Sequence, residues 1–257
     1  MAQLTENDCM NIKYELQKGR LTIPGMIVYL IGVLLYSGCT VGISLFAATA
    51  NTVGWKSLSS AWHTIYYIEA ILFAINILVL LLCWKINNIN QKILVIAVVL
   101  FTYKTVLDQY IAILMFSKDR GLYHLYAPLV LIIITIGFLI QIIILRNWIK
   151  GIKSKNKLGN NRKKVKKKLL FPIVFLFAII VGTMFNNDLF VDKEIMFIFV
   201  VMSVVHIAML IGQCEFIIAA YCVFRFPSFA VNPPPQKKSQ YVNPRNERKK
   251  KKRKKNR

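Results

Sequence analysis

Four ionisable residues interrupt the apolar runs of this chain: Glu69, Lys104, Asp108 and Glu215. Each costs about 2.5–3.5 kcal/mol to place at the centre of a bilayer, so each needs a partner or a use. Lys104 and Asp108 are four residues apart and share one helix face. Glu69 lies at a similar depth in the preceding apolar run. A Glu69–Lys104–Asp108 cluster is therefore expected, with Asn76 a further polar candidate. Two kinds of chemistry fit it. One is a proton or ion site, or a polar lining for a small solute. The other is an interhelical ion pair that locks two helices together.

The last apolar run carries His206, Gln213, Cys214 and Glu215. His206 and Gln213 are seven apart and share a face, whereas Glu215 points to the opposite side. A His206–Cys214 catalytic pair is ruled out, because eight helical residues separate them by ~12 Å along the axis. His206 reads as a packing residue, and Glu215 as a partner for Arg225 or a basic loop. There is no GxSxG, no HExxH, no Gly-rich phosphate loop and no paired metal-ligand set. The five cysteines include no CxxC. The expectation is a protein without catalysis of its own, with no cofactor and no metal.

The elements that must position these residues are helices in lipid. Of 257 residues, 56% are hydrophobic. They gather in six blocks, at about 23–47, 62–84, 93–116, 125–145, 169–185 and 195–224. Blocks near 20 residues match a hydrocarbon core of ~30 Å. In lipid only helices or closed barrels satisfy the backbone, and barrel strands alternate over about 10 residues. These blocks are longer and do not alternate. The expected fold is an all-α integral membrane protein with six transmembrane helices. Pro24, Pro128 and Pro172 fall in expected first turns, where the missing N–H costs nothing. Trp62, Tyr66, Tyr67, Trp84, Tyr123, Tyr126 and Trp148 fall near block ends, at headgroup level. Gly38 and Gly42, in a stretch that also holds Gly32 and Ser37, have a small-xxx-small spacing that suits close helix packing.

Charge sets the orientation. The net charge is +23, from 34 Lys and Arg against 11 Asp and Glu. Eleven of the basic residues lie in 146–168 and twelve in 237–257, with Glu247 the single acid among them. With both termini inside, 29 basic residues face the cytoplasm, and only Lys56, Lys118, Arg120 and Lys193 face out. That is a strong positive-inside signal, which an odd number of spans would spoil. The organisation is then a cytoplasmic N-terminal segment 1–22, a six-helix domain 23–225 with a basic loop 146–168, and a disordered basic tail 226–257.

The basic segments suit polyanions. Lys163, Lys164, Lys166, Lys167 and Lys168 in the loop, with Lys249, Lys250, Lys251, Lys252, Arg253, Lys254 and Lys255 in the tail, are candidates for binding anionic lipid headgroups. The tail has no folded module to read bases, and Tyr241 is its only aromatic, so sequence-specific nucleic-acid binding is not expected. The leading expectation is a plasma-membrane transport component: a small permease, a channel subunit or the membrane partner of a separate ATPase. The alternative is a scaffold or insertion-accessory protein that recruits anionic lipid, ribosome or a protein partner. The closing "KKNR" fits a dilysine retrieval pattern, which makes the endoplasmic-reticulum membrane the alternative location. Architecture alone does not choose among these functions.

Overall fold

The structure is a computed structural model that describes residues 5–50, 54–85, 87–153 and 192–231. Among them are a short helix α1 (Met10–Lys18) and five long ones: α2 (Ile23–Ala50), α3 (Ser60–Leu82), α4 (Asn88–Asp119), α5 (Tyr123–Lys153) and α6 (Lys193–Arg225). The described residues contain no strand. Helices α2 to α6 are each long and apolar enough to cross a membrane. The block expected at 169–185 lies outside the described residues.

Helix α4 stands at the centre, with α2, α3, α5 and α6 packed against it. Its composition explains why. Its membrane-length stretch is the least apolar of the five, yet 61% of that stretch is buried, against 22–39% for the other four. A helix surrounded by protein can carry Thr102, Asp108 and Gln109, all buried, because α2 supplies partners that lipid cannot: Tyr29, Ser37 and Tyr36. The outer helices turn Leu, Ile and Val outward instead.

Contacts fix the directions. Tyr29 meets Thr102 and Ser37 meets Asp108, so α2 and α4 run parallel. Tyr126 packs on Phe199, Phe138 on His206, and Gln141 bonds to Leu210, so α5 and α6 also run parallel. One end of the bundle holds Lys13, Lys18, Arg20, Lys85, Lys92, Arg146, Lys150, Lys153 and Arg225. The opposite end holds Lys56, Lys118, Arg120 and Lys193.

Several expectations are corrected. Helices α4, α5 and α6 outrun their apolar blocks at both ends, because backbone hydrogen bonding continues into polar caps. Asn87 caps α4 by accepting from the Asn90 N–H at 2.7 Å, and Asp192 caps α6. Residues 146–153, expected in a loop, are the last turns of α5. Pro128 then sits inside α5 rather than in its first turn. Trp62, Tyr66 and Tyr126 are buried between helices, whereas Tyr67 and Trp84 do face outward. A Cβ at Gly38 would touch Phe73 at 3.5 Å, but one at Gly42 would meet nothing, so among the described residues the small-residue spacing forms no close crossing.

The two terminal segments also depart from expectation. Helix α1 buries Ile12 and Leu16 in the same core as Phe229, just past α6. The Gln91 side chain donates to the Phe229 carbonyl at 3.3 Å and accepts from the Val231 N–H at 3.0 Å. Lys13 lies 5.6 Å above the Phe229 ring. The Ser228 hydroxyl donates to Glu6 and holds its carboxyl below the usual carboxylate range. Residues 226–231 are thus docked, not part of a disordered tail. The buried Phe229 and these polar contacts fasten them.

Candidate functional site: an intramembrane charge cluster

Lys104 projects from the middle of α4 between two carboxylates. It forms ion pairs with Glu69 of α3 and, at 2.5 Å, with Asp108 one turn along its own helix. The four-residue spacing puts Lys104 and Asp108 on one face, and the α3–α4 packing brings Glu69 to them. Helix α2 contributes Ser37, whose hydroxyl accepts from Lys104 at 2.8 Å and donates to Asp108. The Phe73 ring lies 4.6 Å from the ammonium, one turn from Glu69. The cluster joins three helices.

It is closed to solvent. The Lys104 and Glu69 side chains are each 10% exposed and Asp108 is 1% exposed. Lys104 also reaches the wall of a groove of about 510 Å³ between α3 and α4, lined by Leu72, Val79, Ile96, Leu100 and Phe101. Burying such charges costs several kcal/mol per ion unless the pairing is close and further hydrogen bonds complete it. Ser37 provides those hydrogen bonds, and the Phe73 ring adds a cation–π contact to the ammonium. Two carboxylates face one ammonium. Asn76 is buried on α3 two turns further on, and among the described residues its Oδ1 has no hydrogen-bond partner; it is not joined to the charges.

A second polar seam lies where α4 meets α5 and α6. The Tyr103 hydroxyl donates to Gln141 Oε1 at 3.0 Å. Gln141 Nε2 donates to the Leu210 carbonyl at 3.3 Å and to Gln213 Oε1 at 3.4 Å. Gln213 Nε2 donates to the Val99 carbonyl at 2.8 Å. His206 is fully buried two turns away, edge-on to Tyr110 with ring centroids 5.3 Å apart. A β-carbon at Gly137 would collide with its ring, so glycine there makes the slot that His206 fills. His206 and Gln213 do share a buried face, but Gln141 and not His206 is the partner of Gln213.

Glu215 pairs with Arg20, just before α2; residues 154–168 of the basic loop it was also expected to meet lie outside the described residues. At the opposite end Arg120 bridges Asp192 and, at 2.9 Å, Glu194. Asp192 and Glu194 hold the Arg120 guanidinium above its ordinary range. Burial works against ionisation of Asp192, but Arg120 and the N–H groups of Ile195 and Glu194 outweigh it and lower its carboxyl range. The basic candidates Lys163, Lys164, Lys166, Lys167, Lys168 and Lys249–Lys255 lie outside the described residues.

Sequence reasoning found the three charges but missed Ser37, Phe73, Tyr103 and Gln141. Gln141 had a signal: it is a lone amide in "FLIQIIIL". Ser37 and Phe73 had none, since hydroxyls and rings are common in spans. No protein-family model, curated protein sequence or solved structure matches this chain.

Proposed function

We propose that this protein is a non-catalytic, six-span membrane scaffold, with both termini in the cytoplasm. Its basic loop and tail recruit a polyanionic surface, first of all anionic lipid headgroups of the plasma membrane. The observation that carries this reading is the closed state of the charge cluster. A solute path needs Glu69, Lys104 and Asp108 on a wet cavity, whereas a scaffold needs them dry and paired. They are buried and paired across α2, α3 and α4.

Helix directions support the sixth span. Helix α5 ends at the basic end, beside Ile12 and Leu16, which share a core with Ile152. Helix α6 begins at the opposite end, where Asp192 meets Arg120. The 38 residues between Lys153 and Asp192 therefore link opposite ends of the bundle, and the apolar run 169–185 is our sixth helix. The nine-to-four split of described cations between the two ends supports a cytoplasmic basic end.

The transport reading remains the alternative, favoured by the unequal charge count of the cluster. Its test is the reactivity of Asp108→Cys toward a small aqueous thiol reagent. No labelling is expected; labelling at the rate of a surface thiol overturns the scaffold assignment. Deleting 237–257 should leave insertion unchanged and weaken binding to anionic vesicles, with each basic residue contributing about 1 kcal/mol at the surface. That binding should fall as salt shortens the screening length. Tags placed near Lys56, Arg120 and Asp188 should be external, and tags near Lys157 and the C-terminus internal. An external C-terminus overturns the six-span topology.

A further inference from the structure

Helices α2 and α6 both pack on α4 and touch each other at Tyr29 and Phe216, beside a groove of about 580 Å³ toward the basic end. That volume is typical of sites for small amphipathic ligands. Its walls are apolar: Val28 and Tyr29 from α2, Ala208, Met209 and Phe216 from α6. Tyr29 and Phe216 form its floor, with ring centroids 4.7 Å apart. The groove is open at Gly212, where a Cβ would meet nothing within 4 Å among the described residues. One end of this apolar groove carries charge of both signs. Arg20 and Glu215 pair with each other there, beside Trp148 of α5.

An apolar trough ending in adjacent cation and anion matches one ligand class. We infer that the groove holds a phospholipid with a phosphoethanolamine headgroup, one acyl chain lying against Val28, Ala208, Met209 and Gly212. The phosphate accepts from the Arg20 guanidinium, which suits a planar, multi-donor cation. The headgroup ammonium donates to the Glu215 carboxylate, and Trp148 sits at headgroup level. Binding replaces the Arg20–Glu215 ion pair with two new ones, one for each group. A net-anionic phosphoglycerol headgroup has no cation for Glu215. A phosphocholine headgroup has no N–H to donate. This inference does not depend on the scaffold reading.

The test is native mass spectrometry of the full chain in detergent, titrated separately with phosphatidylethanolamine, phosphatidylcholine and phosphatidylglycerol. Phosphatidylethanolamine should be retained about tenfold more strongly than the other two, the usual value of one charged hydrogen bond. Glu215→Gln should erase that preference. Gly212→Leu should abolish retention of all three while keeping the melting temperature, since it fills open space and removes a helix glycine. Equal retention of the three lipids overturns the inference, as does undiminished binding to Gly212→Leu. A photoreactive residue at Val28 supplies an independent reading. Crosslinks to lipid are expected, and crosslinks to residues 169–185 of the same chain would mean that the groove is filled by protein and the inference is wrong.

Discussion

Two polar seams flank α4, and they solve the same problem by different means. Toward α2 and α3 the seam is ionic: Lys104 serves Glu69, Asp108 and Ser37 at once. Toward α5 and α6 it is neutral: Tyr103, Gln141 and Gln213 pass hydrogen bonds between one another and two backbone carbonyls. The ionic seam has a single hub, so removing the hub strands two charges in low dielectric. The neutral seam distributes its bonds, and the loss of any one strands no charge. Membrane interiors make the first arrangement far more sensitive to substitution than the second.

The largest effect should follow from Lys104→Met, which leaves both acids without their cation. Unfolding titration in mixed micelles should show a loss of about 3–5 kcal/mol. Removing one acid as well should not rescue it: Lys104→Met with Asp108→Leu still strands Glu69. The triple variant that adds Glu69→Leu should recover most of the loss. Rescue by the double variant would mean that the Glu69 contact carries no energy.

Next in size is Gly137→Ala, on the neutral side of α4. The added methyl overlaps the His206 ring between helices that cannot part freely, and overpacking of this kind costs about 1–3 kcal/mol. His206→Ala placed with it should relieve the strain. A neutral result for Gly137→Ala alone would show that α5 and α6 separate easily here.

Gln141→Leu sharpens the contrast directly. Tyr103 and Gln213 lose a partner, but no charge is exposed, so the cost should be about 1 kcal/mol. A loss equal to that of Lys104→Met would abolish the distinction between the seams.

The smallest effect lies outside the bilayer. Asp192 caps α6 and pairs with Arg120, and its carboxyl titrates below its ordinary range. A depressed acid stabilises the fold above its unfolded pKa of about 3.9, and that stabilisation disappears as pH falls through the folded value. Acid titration of the Asp192→Asn variant should therefore lose this component of the pH dependence below about pH 4. Asparagine still caps, so stability at neutral pH should change by under about 1 kcal/mol.

By itself the sequence determined that this chain belongs in a membrane, where its long helices fall, and that three charges on neighbouring spans have to meet. Those features are one-dimensional. Apolar length is matched to bilayer thickness, a four-residue step returns to the same helix face, and uncompensated charge in lipid forces pairing wherever it occurs. The terminal segments were legible only as polar, because Ile12, Leu16 and Phe229 are too sparse to read as a span and share a core only where α1 meets the segment after α6. Tertiary structure alone decided that α4 is central, that Ser37 and Phe73 complete the charge cluster, that Gln141 anchors the second seam and that Glu215 reaches Arg20. Each of these is a meeting of residues about 30 to 200 positions apart. Helix periodicity fixes which way a side chain points along its own helix. Which helix stands opposite depends on how all the surfaces pack together.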